Sequence, residues 1–171
     1  MQLFANSHPT QENAGAYYDG IDHNCYDDFL VKVNFTDPYH LIKAIASPAP
    51  TEAAGSGEPV DYGLLNMPRE SVIFDMGQGT GIMGKLAAAE GFTTIDAADA
   101  SQNFVDTANA SGWYRNCTLI WFGKGVEALP PALIGVYDVV MASGVFLDGH
   151  IPASGFEDAH AMLKTGGYFV T

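Results

Sequence analysis

Residues 71–81 read Ser71-Val72-Ile73-Phe74-Asp75-Met76-Gly77-Gln78-Gly79-Thr80-Gly81. Ser71–Phe74 has the look of a short buried strand, and Ile82, Leu86 and Ala89 then recur at helical spacing over Ile82–Glu90. Three glycines therefore sit between a strand and a helix, where a backbone must turn tightly and pass close to a ligand. A glycine-rich turn alone is also what an ordinary flexible connection looks like.

Two acids sharpen the reading. Asp75 lies at the end of an apolar strand, an expensive place unless its carboxylate accepts hydrogen bonds. Asp99 lies at the end of the next predicted strand, where a carboxylate can accept both ribose hydroxyls of a nucleoside lying across the strand ends. Asp96 is a nearby competitor, and the ordinary reading of Asp99 as a helix N-cap is weakened by Ser101, which suits that role better. The stretch Gly79-Thr-Gly81-Ile-Met-Gly84 also fits the dinucleotide pattern G-x-G-x-x-G, so an NAD-binding protein stays open as an alternative. A nicotinamide cofactor leaves Asp75 without a task, however, whereas S-adenosylmethionine carries no phosphate for an acid to repel. No Lys-Ser or Lys-Thr follows the glycines, which excludes a phosphate-cradling P-loop.

Outward from this loop, strands and helices alternate. Strands are predicted over Thr93–Ala97, Cys117–Phe122, Val136–Met141 and from Tyr168 to Thr171. Helices are predicted over Gln102–Ala110 and Phe156–Leu163, the latter stopped by Gly166-Gly167. This order defines an α/β, Rossmann-like fold: a mainly parallel sheet with helices on both faces and a ligand crevice at the carboxyl ends of its first strands. Upstream, residues 1–16 read as a loose leader, and Tyr17–Ala46 as one or two short amphipathic helices interrupted by Asp37-Pro38. Ser47–Pro59, with three prolines and two glycines, reads as a linker. The expected organisation is thus a leader (1–16), an N-terminal helical segment with linker (17–66) and the cofactor-binding core (67–171).

Bulk properties narrow the function. The 171 residues suffice for one domain, and 47% hydrophobic with 16% charged residues is a globular balance. A formal charge of −13 with seven Lys+Arg argues against a nucleic-acid partner, since a phosphate backbone would be repelled over most of the surface. No apolar run approaches the roughly 20 residues of a membrane helix, and no secretory signal opens the chain. Two cysteines, Cys25 and Cys117, are too few for a disulfide framework and suggest no metal site; the expectation is an intracellular, cytoplasmic protein.

With these motifs in place, the chain resembles the class I S-adenosylmethionine-dependent methyltransferases. Residues 73–81 look like their first motif, and Asp99-Ala100-Ser101 like the acidic motif after the second strand. Glu127-Ala128-Leu129-Pro130 is similar to the segment after the third strand, Tyr137-Asp138-Val139-Val140 to the approach to the fourth, and Leu163-Lys164-Thr165-Gly166-Gly167 to the turn before the fifth. More narrowly, Tyr26-Asp27 with Phe35 and Pro38, and the run Ser143–Pro152, resemble the methyltransferase-like protein 27 group, also called the Williams–Beuren region methyltransferases. The resemblance implies a cofactor site of Asp75, Gly77, Gly79, Gly81, Asp99 and Ala100, with Gln78 at the amino-acid end, Ser143 where the fourth strand opens, and Tyr17 or Tyr18 closing over it.

The implied activity is methyl transfer to a small-molecule acceptor. Asp148 and His150 are the titratable pair near the methyl end, and an imidazole there is suited to taking a proton from the acceptor. The ordinary reading of that pair is a solvated turn beside Gly149. Two departures from the family pattern stand out. Lys124 occupies the place of an acid that accepts from the adenine amino group, and a lysine cannot accept. The family sheet also continues with two further strands beyond the point this chain reaches. The fifth strand is accordingly expected to be an exposed edge, open to self-pairing or a protein partner. A methyltransferase-like module without catalysis is the competing reading.

Overall fold

The computed structural model describes residues 9–10, 12–47 and 65–171. Most of the expected leader and of the linker at 47–59 lies outside the described residues. Three helices precede the sheet: α1 (Ala14–Asp19), α2 (His23–Lys32) and α3 (Asp37–Ala46). Asp37-Pro38 starts α3 rather than interrupting a helix, because proline lacks a donor and its fixed φ suits the first turn. Asp22 caps α2 by accepting from the backbone N–H groups of Asn24 and Cys25 at 2.9 and 3.2 Å.

The core alternates β1 (Val72–Met76), α4 (Ile82–Ala89), β2 (Thr94–Asp99), α5 (Gln102–Ser111), β3 (Asn116–Leu119), two 3-10 turns, β4 (Tyr137–Met141), α6 (Gly155–Met162) and β5 (Leu163–Val170). Every pairing is parallel, in the order β3-β2-β1-β4-β5. Strand order reverses between β1 and β4, and a crevice opens beyond the carboxyl ends of strands at such a switch point. Period-two alternation divides the core. Ile73, Ile95, Ala97 and Val139 pack with α3, α4 and α5 on one face, while Phe74, Met76, Ala98 and Val140 pack with α6 on the other.

Two strand boundaries differ from expectation. β3 stops at Leu119, leaving Trp121 and Phe122 to turn into the crevice instead of continuing the ladder. β5 starts at Leu163, before the Gly166-Gly167 pair, and its pairing with β4 is irregular between Tyr137↔Leu163 and Val139↔Tyr168. The glycines therefore lie in a bulged strand, and not in a stop between helix and strand. Gly167 is tight there: a Cβ would come 3.0 Å from the Tyr137 carbonyl oxygen.

Candidate functional site

The glycine loop continues β1 at its carboxyl end. The Gly77 N–H still bonds the Ala98 carbonyl at 2.8 Å, so the loop is fastened to β2 as it leaves the sheet. Gly77 and Gly79 then adopt φ of +75° and +52°, the left-handed region that side chains rarely enter. A Cβ on Gly77 would also press against Val145 at 2.6 Å, whereas one on Gly79 would meet nothing within 4 Å. The first glycine is demanded by packing and conformation together, and the second keeps its backbone facing open space.

Asp99 braces this loop from the neighbouring strand. One carboxylate oxygen accepts from the Gly79 N–H at 3.0 Å, the other from the Ser101 N–H at 2.9 Å. Burial pushes its pKa up, against the pull of these backbone donors, and Asp19 nearby adds to the rise. Each oxygen retains further acceptor capacity on the side of the cavity that it lines. Asp96 turns instead to the opposite end of the sheet's chemistry: it accepts from Arg115 Nε at 2.9 Å and from the Tyr137 hydroxyl at 3.0 Å. Of the two competing acids, only Asp99 reaches the crevice.

Asp75 is 1% exposed. Its carboxylate accepts from the Tyr114 hydroxyl at 2.6 Å, and that hydroxyl in turn accepts from the Gly84 N–H at 3.0 Å. Burial lifts the Asp75 carboxyl to about 7, with the Tyr114 hydrogen bond opposing the rise. Tyr114 thus ties β1 to the first turn of α4, a partner that nothing in the sequence signals, since it sits in an irregular stretch before β3. Gly81, at φ +92°, lies under Trp113 and Tyr114 and does not reach the main cavity.

The main cavity encloses about 730 Å³ including its mouth. Gly77, Gly79, Asp99 and Ala100 form its floor, with Ser143 and Val145 beyond β4, and Trp121 and Phe122 after β3. Tyr18, Tyr26 and Phe104 wall it from the helical side, where His150 meets Tyr18, and Ile151 follows in the same lining. Asp75 and Gln78 border a smaller adjoining hollow that shares Gly77, Gly79 and Ser143. Gln78 is 6% exposed, and neither its amide nitrogen nor its amide oxygen has a hydrogen-bond partner in the protein; the Ser143 hydroxyl is likewise buried and unpartnered. Of Tyr17 and Tyr18, only Tyr18 lines the cavity.

Asp148 is exposed and outside the cavity lining; it meets His150 through its backbone carbonyl, which lies 2.9 Å from Nδ1, so the two do not form a carboxylate–imidazole pair. Lys124 is exposed. The turn that carries it is held from below, where Asp158 accepts from the Gly123 N–H at 2.5 Å and Ser154 donates to the Gly123 carbonyl at 3.0 Å. Among the described residues, no group of three or more His, Cys, Asp or Glu could hold a metal ion. No helix among them is long and apolar enough to cross a membrane.

Two acids of the N-terminal helices, Asp19 and the Asp27 of the Tyr26-Asp27 pair, fasten those helices over the site. Asp19 accepts from the Ser101 hydroxyl at 2.6 Å and from the Asn103 N–H at 3.1 Å, while Asp27 accepts from the Thr80 hydroxyl at 2.6 Å. Gly15 allows the closest approach: a Cβ there would run into the Ala100 carbonyl and the Trp121 ring.

A parallel sheet with this switch point, a glycine loop after β1 and an acid ending β2 defines a Rossmann-like nucleoside-binding fold. The profile of the family described as Methyltransferase domain matches residues 74–171, more than half of the chain, and the chain belongs to that family. It is similar to the human protein named Methyltransferase-like protein 27, at 31% identity over 104 residues, covering 61% of this chain and 41% of the relative. It is also similar to the Ribosomal protein L11 methyltransferase of Staphylococcus aureus, at 31% identity over 109 residues, covering 61% and 32%. The chain therefore spans less than half the length of these relatives. Among solved structures, a Haloferax volcanii protein in complex with the Trm112 methyltransferase activator shares the fold, with a TM-score of 0.59 at 16% identity over 89% of this chain and 57% of that one.

Proposed function

We propose that the protein binds S-adenosylmethionine in the cavity between the β1, β2 and β4 ends and methylates a small-molecule acceptor. The observation that carries this reading is the set of buried, unpartnered polar atoms around the glycine loop. A buried polar group without a partner costs roughly 1–3 kcal/mol. The Gln78 amide and the Ser143 hydroxyl sit where a polar ligand would relieve that cost. Asp99 keeps acceptor capacity toward the main cavity that adjoins this hollow, as ribose hydroxyls require, and Trp121, Phe122 and Phe104 offer apolar faces for a flat base.

The residues present therefore fit the cofactor that the family implies. Gly77, Gly79, Asp99 and Ala100 would hold its nucleoside part, Gln78 and Ser143 its amino-acid end, and Asp75 would act through the loop it anchors. The exposed Lys124 leaves the adenine edge to backbone groups. When bound, S-adenosylmethionine supplies an electrophilic methyl carbon on a sulfonium, so the protein's own part is to hold an acceptor in line and exclude water. Tyr18 and Tyr26 line the helical side of this cavity, and a net charge of −13 disfavours a nucleic-acid acceptor. Incubation with radiolabelled S-adenosylmethionine and separate pools of small metabolites, protein and RNA tests this. Label is expected in the small-molecule fraction; label confined to protein or RNA would contradict it.

A further inference from the structure

We propose that Tyr18 and His150 form a proton-accepting pair, in which the Tyr18 hydroxyl relays a proton from a neutral O–H or N–H acceptor to His150 Nε2. The proposal rests on the methyltransferase reading above. The Tyr18 hydroxyl oxygen lies 2.5 Å from His150 Nε2, and both side chains line the main cavity. The other ring nitrogen, Nδ1, lies 2.9 Å from the Asp148 carbonyl oxygen. A carbonyl only accepts, so Nδ1 carries the hydrogen; in the neutral ring Nε2 is then the bare acceptor and Tyr18 donates to it. The tautomer follows from the partners on both sides.

Tyr18 is held for this task. Its ring meets Tyr17 at 5.2 Å, Phe104 at 5.6 Å, His150 at 5.7 Å and Tyr26 at 6.0 Å between centroids. Its hydroxyl, already donating to Nε2, keeps lone pairs that can accept from a ligand hydrogen. Burial first, and then the neighbouring Tyr26, Tyr17 and Asp99, push the phenol further from ionisation, so Tyr18 is a relay and not itself the base. In the relay, the acceptor's proton passes to the Tyr18 oxygen while Tyr18's own proton passes to Nε2. The acceptor's lone pair forms the bond to the methyl carbon, and the electron pair of the broken carbon–sulfur bond stays on sulfur. His150 ends as an imidazolium whose Nδ1–H still donates to the Asp148 carbonyl. The ring is only half-buried, so it can return the proton to water.

The pair also sets the acceptor class. A proton-accepting pair serves an acceptor that must lose an O–H or N–H hydrogen on methylation. A carboxylate or phosphate arrives already deprotonated and has no use for it. The fitting acceptor carries a neutral O–H or N–H at the atom that is methylated.

Three measurements on the full chain decide the matter. First, nitrogen-15 spectra of labelled histidine should show His150 as the Nδ1–H tautomer, with the Nε2 signal shifting in Tyr18→Phe. An Nε2–H tautomer, or no response to Tyr18→Phe, would overturn the pair. Second, calorimetric titration of the wild type and His150→Gln with S-adenosylmethionine should show binding in both; absence of binding in the wild type would sink the methyltransferase reading itself. Third, phenol, aniline and imidazole serve as neutral probes, with benzoate and phenyl phosphate as charged ones. Methylation of the neutral probes is expected to fall about 100-fold or more in Tyr18→Phe and in His150→Gln, with the double variant no worse than either, while any transfer to the charged probes stays unchanged in both variants. Binding without methylation of any neutral probe, or an equal fall for the charged ones in the two variants, would overturn the proposal while leaving cofactor binding intact.

Discussion

Asp75 and Asp99 look alike in the sequence, and the structure separates their work. Asp99 faces the cavity with acceptor capacity to spare, so Asp99→Ala should weaken S-adenosylmethionine binding by roughly 1–3 kcal/mol, the scale of hydrogen bonds to a charged group; unchanged affinity in a calorimetric titration would refute its ribose role. Asp75 is a buried acid lifted to about 7 from an ordinary 3.8. The folded state therefore holds this proton more tightly than the unfolded chain. Its contribution to stability falls as pH rises from about 4 to about 7, then levels. Asp75→Asn keeps an acceptor for the Tyr114 hydroxyl and removes the charge. Relative to wild type, the variant should gain on the order of 2 kcal/mol in denaturant unfolding between pH 5 and pH 8. A pH-independent difference would mean that the buried carboxyl is not what the pH profile reports.

At the scale of elements, the glycine loop and the helices above it form one assembly. α1 reaches the end of β2 because Gly15 has no side chain, and Asp19 then caps the start of α5 from outside that helix. Gly15→Val should push α1 off Ala100 and weaken cofactor binding tenfold or more. The sheet should survive, with an unfolding cost of about 1–3 kcal/mol, as for overpacking elsewhere. Far-ultraviolet circular dichroism with the same titration checks both, and full affinity in the variant would show that α1 does not form part of the site.

Much of this assembly was legible in advance, because the β1–loop–α4 unit and the acid ending β2 are local patterns: alternation, glycine spacing and a charge at a strand end. What escaped is non-local. Tyr18 and His150 are 132 residues apart, and Asp75 meets Tyr114 across 39. No periodicity relates such pairs; only the closed sheet brings them together. Asp148 misled for the complementary reason, since proximity in sequence to His150 says nothing about whether the carboxylate or the carbonyl makes the contact.

For the whole molecule, charge and edge oppose one another. β5 pairs only with β4 among the described residues, and Tyr168 and Phe156 beside it remain 45% and 46% exposed. An outer strand of this kind is a template for pairing with another strand. A net charge of −13 on each copy resists that association until salt screens it. The 171-residue chain is expected to self-associate through β5 as ionic strength rises. Sedimentation velocity should show the mean mass increasing between roughly 20 mM and 500 mM salt, where the Debye length shortens from about 20 Å to about 4 Å; a monomer throughout would show that the edge is protected.

All three scales converge on the cavity between Gly77, Asp99 and Ser143. Calorimetric titration of the chain with S-adenosylmethionine and with its demethylated product probes that cavity most directly. The account predicts saturable, one-site heat with both ligands, diminished in Asp99→Ala. No heat from either at millimolar concentration would contradict it.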